Sequence, residues 1–433
     1  GEETIMSLGR LPDLPAGKGV RAWLAVAGLG AILLQGCGAL ERREAVPPGS
    51  TEAAVTPGAP DSRYWVDRDI DPMVRDGMQS IQLEKAALAA AGKATGTLPP
   101  ANFLAISGGG DAGAFGAGLL VGWTAHGTRP EEFKVVTGVS TGALIAPFAY
   151  LGPRYDEVLR HVYTSIGPRD IFDPRSILAA FTSDGLADNR PLWRLIAKYV
   201  TSDFLAEIAR EHAKGRFLLI GTTNIDARRP VVWNMGAIAS SKDPRALELF
   251  RNIMLASAAV PGAFSPVLID VEVDGAPYQE MHVDGGAMAQ VFLYPPRLSE
   301  RAMAFGAKIP ERQRRMFIIR NAVLTPDWAS TERSTMSIVQ RAITSLLQSQ
   351  GIGDLYRIFA TAQKDAVDFN LAFIGPDFTH PHKEDFDTEY MRKLFDYGYQ
   401  LALKGYPWQK GPPGYAPETR APSTSGAAPG NAP

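Results

Sequence analysis

Ser140 lies in the run Gly138-Val139-Ser140-Thr141-Gly142. A serine flanked this way suits nucleophilic work, because glycine tolerates the strained backbone and close approach of a sharp turn that lifts the hydroxyl out. The matching chemistry is acyl transfer. The hydroxyl attacks a carbonyl carbon, a base takes its proton, and N–H groups meet the charge that grows on the carbonyl oxygen. A second run, Gly108-Gly109-Gly110-Asp111-Ala112-Gly113, offers such N–H groups ahead of a helix. That arrangement favours an anion, either a phosphate or a developing oxyanion. A third run, Asp284-Gly285-Gly286, puts a carboxylate at a strand end. It reads as a plain Asp-Gly turn or as the base that the first two turns lack.

The usual partner of a nucleophilic serine is histidine. The chain has six, at positions 126, 161, 212, 282, 380 and 382, and none sits in a distinctive motif. His282 precedes Asp284 by two positions on the same predicted strand, deeper in the sheet. A structural or surface role suits each histidine better than a catalytic one. His380-Pro381-His382 is a weak ligand set, and no Cys-x-x-Cys or His-Glu-x-x-His spacing occurs, so no metal is expected. Gly108, Gly110 and Gly113 also match Gly-x-Gly-x-x-Gly, but Glu131 and Glu132, near the spacing of a ribose-binding acid, fall in a turn. No Gly-Lys-Ser/Thr supports a phosphate loop, and no cofactor is expected.

Both glycine turns are flanked as strand, turn, helix. Asn102 to Ser107 reads as a strand before Gly108, and Leu119 to His126 as a helix after it. Glu132 to Thr137 and Ala143 to Tyr150 do the same around Ser140. Right-handed crossovers bring both turns to one carboxyl edge of a parallel sheet. Further along, helices are predicted over 72–92, 155–166, 191–214, 246–259, 334–350 and 388–404. Arg216 to Asn224 and Pro230 to Met235 read as a hairpin, 263–269 as loop or strand, and Tyr278 to Val283, Met316 to Arg320 and 366–374 as strands.

The three turns, in this order, resemble the patatin-like phospholipases, as do Thr222-Thr223-Asn224-Ile225-Asp226 and Ala256 to Phe264. The resemblance spans about Asn102 to Tyr294. It implies a three-layer α/β/α sandwich with a mainly parallel sheet. It also implies a dyad, with Ser140 as nucleophile and Asp284 as proton acceptor, and an oxyanion hole from Gly108, Gly109 and Gly110. The implied activity is hydrolysis of lipid acyl esters, by a phospholipase A, a lysophospholipase or a related enzyme. A lipid-binding scaffold without turnover is the alternative. One position departs from the family pattern: Ala112 stands where Arg or Lys is common, before the last glycine of the loop.

Composition sets the frame. The chain has 433 residues, 45% hydrophobic and 21% charged, in the range of globular proteins. A net charge of −2 gives no general case for nucleic acid. The single cysteine, Cys37, rules out an internal disulfide framework. Arg21 precedes an uncharged apolar run that ends in Leu34-Gln35-Gly36-Cys37, which resembles a bacterial lipobox. Residues 1–37 are expected to be a signal peptide with Cys37 lipidated, so the chain would be anchored to a membrane of the bacterial cell envelope. Residues 38–65 read as a flexible tether, 66–408 as the hydrolase domain and 409–433 as a disordered tail. The basic run 311–315 reads as a solvated face, and the amphipathic stretch 334–350 as core packing.

Overall fold

The runs around Leu104 and Ile318 are apolar at successive positions, as in strands covered on both faces by helices. In the computed structural model, which describes residues 42–174, 184–185, 187–326, 328 and 330–415, they are neighbours in one sheet. Its strands in chain order are β1 (Arg63–Trp65), β2 (Ala101–Ile106), β3 (Val135–Gly138), β4 (Phe217–Asn224), β5 (Arg229–Asn234), β6 (Val267–Val273), β7 (Ala276–Asp284), β8 (Arg314–Val323) and β9 (Asp368–Ile374). The order is β1-β5-β4-β3-β2-β8-β9, with the β6–β7 hairpin attached to β4 through β7. From β4 across to β9 every pairing is parallel, while β1, β5 and β7 run antiparallel to their neighbours.

The main helices are α1 (Ile70–Ala90), α2 (Gly113–His126), α3 (Thr141–Leu151), α4 (Asp156–Ser165), α5 (Arg190–Tyr199), α6 (Ser202–His212), α7 (Ala246–Ser257), α8 (Leu298–Ala304), α9 (Thr335–Lys364) and α10 (Thr388–Leu403). α2 to α7 and α10 build the larger core on one face. On the other face Leu355, Ile358 and Phe359 of α9 pack with Ala105, Met316 and Ile318. The result is the three-layer α/β/α sandwich with a mainly parallel sheet.

Several elements differ from the sequence reading. The helix expected over 191–214 breaks at Val200-Thr201, where the Thr201 hydroxyl accepts the Phe204 N–H at 3.3 Å and caps a second helix. α9 continues well past 350, and Val267–Val273 is a full strand. Residues 42–65 do not behave as a free tether. Arg42 makes a paired hydrogen bond to Asp226 at 3.0 and 2.8 Å, Ala45 bridges Gln279, Val55 bridges Glu272, and β1 extends the sheet. The small residues that suggested flexibility are what fits there: Ala54, Thr56, Ala59 and Ser62 are all buried. Cys37 and most of the tail lie outside the described residues.

Candidate active site

The register of β4 brings the serine and the aspartate together. One edge of β4 is occupied by β5 from Leu219 to Asn224. The other edge is shared: β3 pairs along Phe217–Ile220, and β7 takes over from Thr222 to Asn224. Gly138 stands opposite Ile220, and Asp284 opposite Thr222. The two strands therefore end against each other from opposite directions, and the turns carrying Ser140 and Asp284 meet at the carboxyl edge of the parallel strands.

Ser140 has φ 55° and ψ −126°, a conformation non-glycine residues avoid, and α3 begins at the next residue. Such strain costs about 1–3 kcal/mol and persists only where neighbours enforce it. The Ser140 N–H donates to Ser257 Oγ at 3.0 Å, and Ser257 Oγ donates to the Gly221 carbonyl at 2.6 Å. A side chain at Gly142 would collide with the carbonyl of Ile106, so the second glycine of the pentapeptide is required for α3 to sit so close to β2.

Asp284 is pinned by its N–H to the Ala259 carbonyl at 2.9 Å. Its Oδ1 accepts the Gly286 N–H at 2.6 Å, while Oδ2 is buried with no hydrogen-bond partner among the described residues. Burial pushes the carboxyl up to about 7, against the opposing pull of the Ser140 hydroxyl and the Gly286 N–H. The hydroxyl is near enough to exert that pull, yet no hydrogen bond to Oδ2 closes.

The three glycines of the first turn have different surroundings. Gly108 donates its N–H to the Gln290 carbonyl at 3.1 Å, so that donor is engaged; a side chain there would press on Ser140 Cβ. Gly109 has φ 155°, and any side chain on it would strike the carbonyl of Asn321. The N–H groups of Gly109 and Gly110 are not taken by any hydrogen bond among the described residues. Asp111 is held away by His382 Nε2 at 2.7 Å and the Phe386 N–H at 2.9 Å, both reaching its Oδ2.

Two residues that sequence reasoning passed over hold this turn. Arg320, buried at the end of β8, reaches Ser107 Oγ at 3.2 Å and the Gly108 carbonyl at 3.3 Å through Nη1. Burial lowers its guanidinium to about 10, opposed by the charge of Asp354. A cation thus stands behind the loop although Ala112 supplies none within it. Gln290 donates its N–H to Asp354 Oδ2 at 2.7 Å and its Nε2 to the Gly286 carbonyl at 3.0 Å, while its own carbonyl takes the Gly108 N–H. It ties the glycine loop to the aspartate turn. The sequence signal for Arg320 was a lone Arg-Asn pair ending an apolar strand; Gln290 had none.

His282 is fully occupied elsewhere. Trp233 Nε1 donates to Thr222 Oγ1 at 2.8 Å, Thr222 Oγ1 lies 2.9 Å from His282 Nδ1, and His282 Nε2 lies 3.0 Å from Glu280 Oε2. Glu280 is in turn bound by Arg63 at 2.6 Å. Burial lowers the pKa of the imidazole, so it serves as a neutral link with both nitrogens engaged. Among the described residues no group of three or more His, Cys, Asp and Glu side chains could hold a metal, and no helix is long and apolar enough to cross a membrane.

Residues 104–295 match the patatin-like phospholipase family. That span runs from within β2 past the end of β7 and holds all three turns, so this part of the chain is similar to a patatin-like phospholipase domain. No curated protein matches the chain. Among solved structures, VipD from Legionella pneumophila is 12% identical over 71% of this chain and 67% of its own, with a TM-score of 0.35. The type III effector protein ExoU is 14% identical over 71% of this chain, with a TM-score of 0.20; the match covers 53% of its length.

Proposed function

We propose that the chain hydrolyses acyl esters of lipids through a Ser140–Asp284 dyad. Ser140 Oγ attacks the ester carbonyl carbon while its proton passes to Asp284 Oδ2. The N–H groups of Gly109 and Gly110 receive the oxyanion, with Gly108 keeping the loop in place. The C–O bond breaks, and the proton leaves with the alcohol. Water then attacks the acyl-enzyme, gives its proton to Asp284, and the fatty acid departs as Ser140 is reprotonated.

The observation that carries this reading is Asp284 Oδ2, buried without a partner beside a serine held in a strained turn. Asp387, the cap of α10, also leaves its Oδ2 without a partner among the described residues, so the reading rests on the orphaned oxygen and the strained serine turn together. Labelling with a fluorophosphonate, followed by peptide mapping, tests it: modification is expected at Ser140, and Ser140→Ala and Asp284→Asn should each abolish turnover of a chromogenic short-chain ester. Retained activity in Asp284→Asn would sink the dyad. Turnover absent from the parent protein would favour the lipid-binding scaffold instead. Product analysis on phospholipids, lysolipids and triglycerides assigns the acyl position and headgroup. Lipidation at Cys37 is proposed as the membrane anchor, and metabolic labelling with a fatty acid in the parent and Cys37→Ser tests it.

A further inference from the structure

Behind the sheet, on the side away from α3, lies a cavity of ≈ 470 Å³. Cavities of about 300–1,000 Å³ are the size that encloses small ligands. One wall is the sheet, through Phe103, Phe217 and Leu219; the other is α1, through Val74 and Ile81. Its inner end is formed by Val139, Gly285 and Met288. Val139 and Gly285 are the chain neighbours of Ser140 and Asp284, but neither Ser140 nor Asp284 lines it. The chamber backs onto the dyad and is separate from it.

Its surroundings match a particular ligand. Exposed Met303 near the end of α8, and exposed Phe305 and Ile309 just after it, lie close in sequence to Ala307 and Lys308, which line the cavity with Ile309. Five basic side chains line the cavity, against one acid, Asp365. Three of the five are ion-paired: Lys134 and Arg312 with Glu84, and Arg357 with Asp354. Lys308 and Arg314 make no ion pair among the described residues; Arg314 donates to the Asp365 carbonyl at 2.7 Å. An apolar chamber with two cations left over fits an apolar chain ending in an anion.

We infer that the cavity binds one fatty acid, its hydrocarbon tail along α1 and its carboxylate at Lys308 and Arg314. The choice of ligand rests on the lipid acyl hydrolase reading, since a fatty acid is what that reaction releases; the binding itself does not require the dyad. Gly77 of α1 lines the chamber, and a Cβ built there would meet nothing within 4 Å. A larger residue at that position is placed to enter the chamber, and replacing a glycine inside a helix favours the helix.

The test is calorimetric titration of monomeric dodecanoate into the Ser140→Ala protein, which cannot turn over ester. Saturable binding of one equivalent is expected. In the Ser140→Ala background, Gly77→Phe should weaken it at least about tenfold, the equivalent of 1.4 kcal/mol, with an unchanged or higher melting temperature. Gly77→Leu should act in the same direction. Lys308→Glu should weaken dodecanoate severalfold and leave its methyl ester unaffected. Absent binding in Ser140→Ala, or equal binding in a well-folded Gly77→Phe, overturns the site. Equal affinity for acid and ester overturns the placing of the carboxylate. If dodecanoate binds as expected while the parent protein cleaves no lipid, the cavity stands and the hydrolase reading falls.

Discussion

The hydroxyl of Ser257 accepts the backbone N–H of Ser140 at 3.0 Å and donates to the Gly221 carbonyl at 2.6 Å. A residue at the end of α7 thereby ties the serine turn to β4, the strand that also pairs with β7 beneath Asp284. Ser257→Ala removes the acceptor and leaves a buried N–H and a buried carbonyl unsatisfied, at about 1–3 kcal/mol. The expected outcome is a fall in kcat of at least about tenfold, because a strained turn without its tether relaxes away from the attacking geometry. Ester kinetics and a thermal melt on the same preparation check it. Unchanged kcat with lowered stability would make Ser257 structural only.

Asp284 sets the pH dependence. As the proposed base it must be ionised, so kcat/KM should rise with pH through a midpoint near its value of about 7. Stability should run the other way. The folded pKa is raised from 3.8, so the folded state penalises the ionised form. The carboxyl's favourable contribution is complete below about 3.8 and is lost as pH climbs to about 7. Asp284→Asn should be inactive yet more stable than the parent above pH 7, by up to about 4 kcal/mol. Denaturant titrations at pH 5 and pH 8 measure the difference.

Arg320 is expected to act through the loop it supports. Arg320→Met leaves Ser107 Oγ and the Gly108 carbonyl without their cationic donor and Asp354 with less compensation, so stability should drop by about 3–5 kcal/mol. Arg320→Lys keeps the charge and is the variant to assay. Its kcat should fall while KM for a short ester stays within about twofold, the pattern of a group that shapes the oxyanion donors. A rise in KM alone would assign Arg320 to substrate binding.

The histidine alternative has its own test. His282 and Glu280 are buried and joined, with Arg63 compensating the carboxylate. Arg63→Met should destabilise by about 3–5 kcal/mol by leaving that charge uncompensated. His282→Gln should also lower the melting temperature, while the folded fraction keeps the midpoint of the parent's pH–rate profile. A changed profile in His282→Gln would put the imidazole in the proton path.

The serine turn and the glycine loop are legible because each is local, whereas the pairing of Ser140 with Asp284 is implied only by the family resemblance. Gly138-Val139-Ser140-Thr141-Gly142 encodes a strand-to-helix turn within five residues, and the glycine loop before α2 does likewise. Parallel strands covered on both faces also leave a local trace in their continuous apolar runs, so the sheet could be anticipated. Helix ends fared less well: the break at Thr201 depends on one cap inside an otherwise helical pattern. Residues 42–65 were misjudged because small residues suit a flexible linker and a tightly packed strap equally well. Only the contacts with Asp226, Gln279 and Glu272 distinguish the two.

What tertiary structure alone decided is long-range. The sequence determined that a serine, an aspartate and a row of backbone donors each stand in a turn. It could not say that β3 and β7 share one edge of β4, since that is a matter of strand register. Nor could it assign Arg320 and Gln290, whose roles depend on atoms brought near from distant strands, or the cavity behind α1. Side chains declare a turn through their effect on their own backbone; they declare a partner only when folding has removed the water between them.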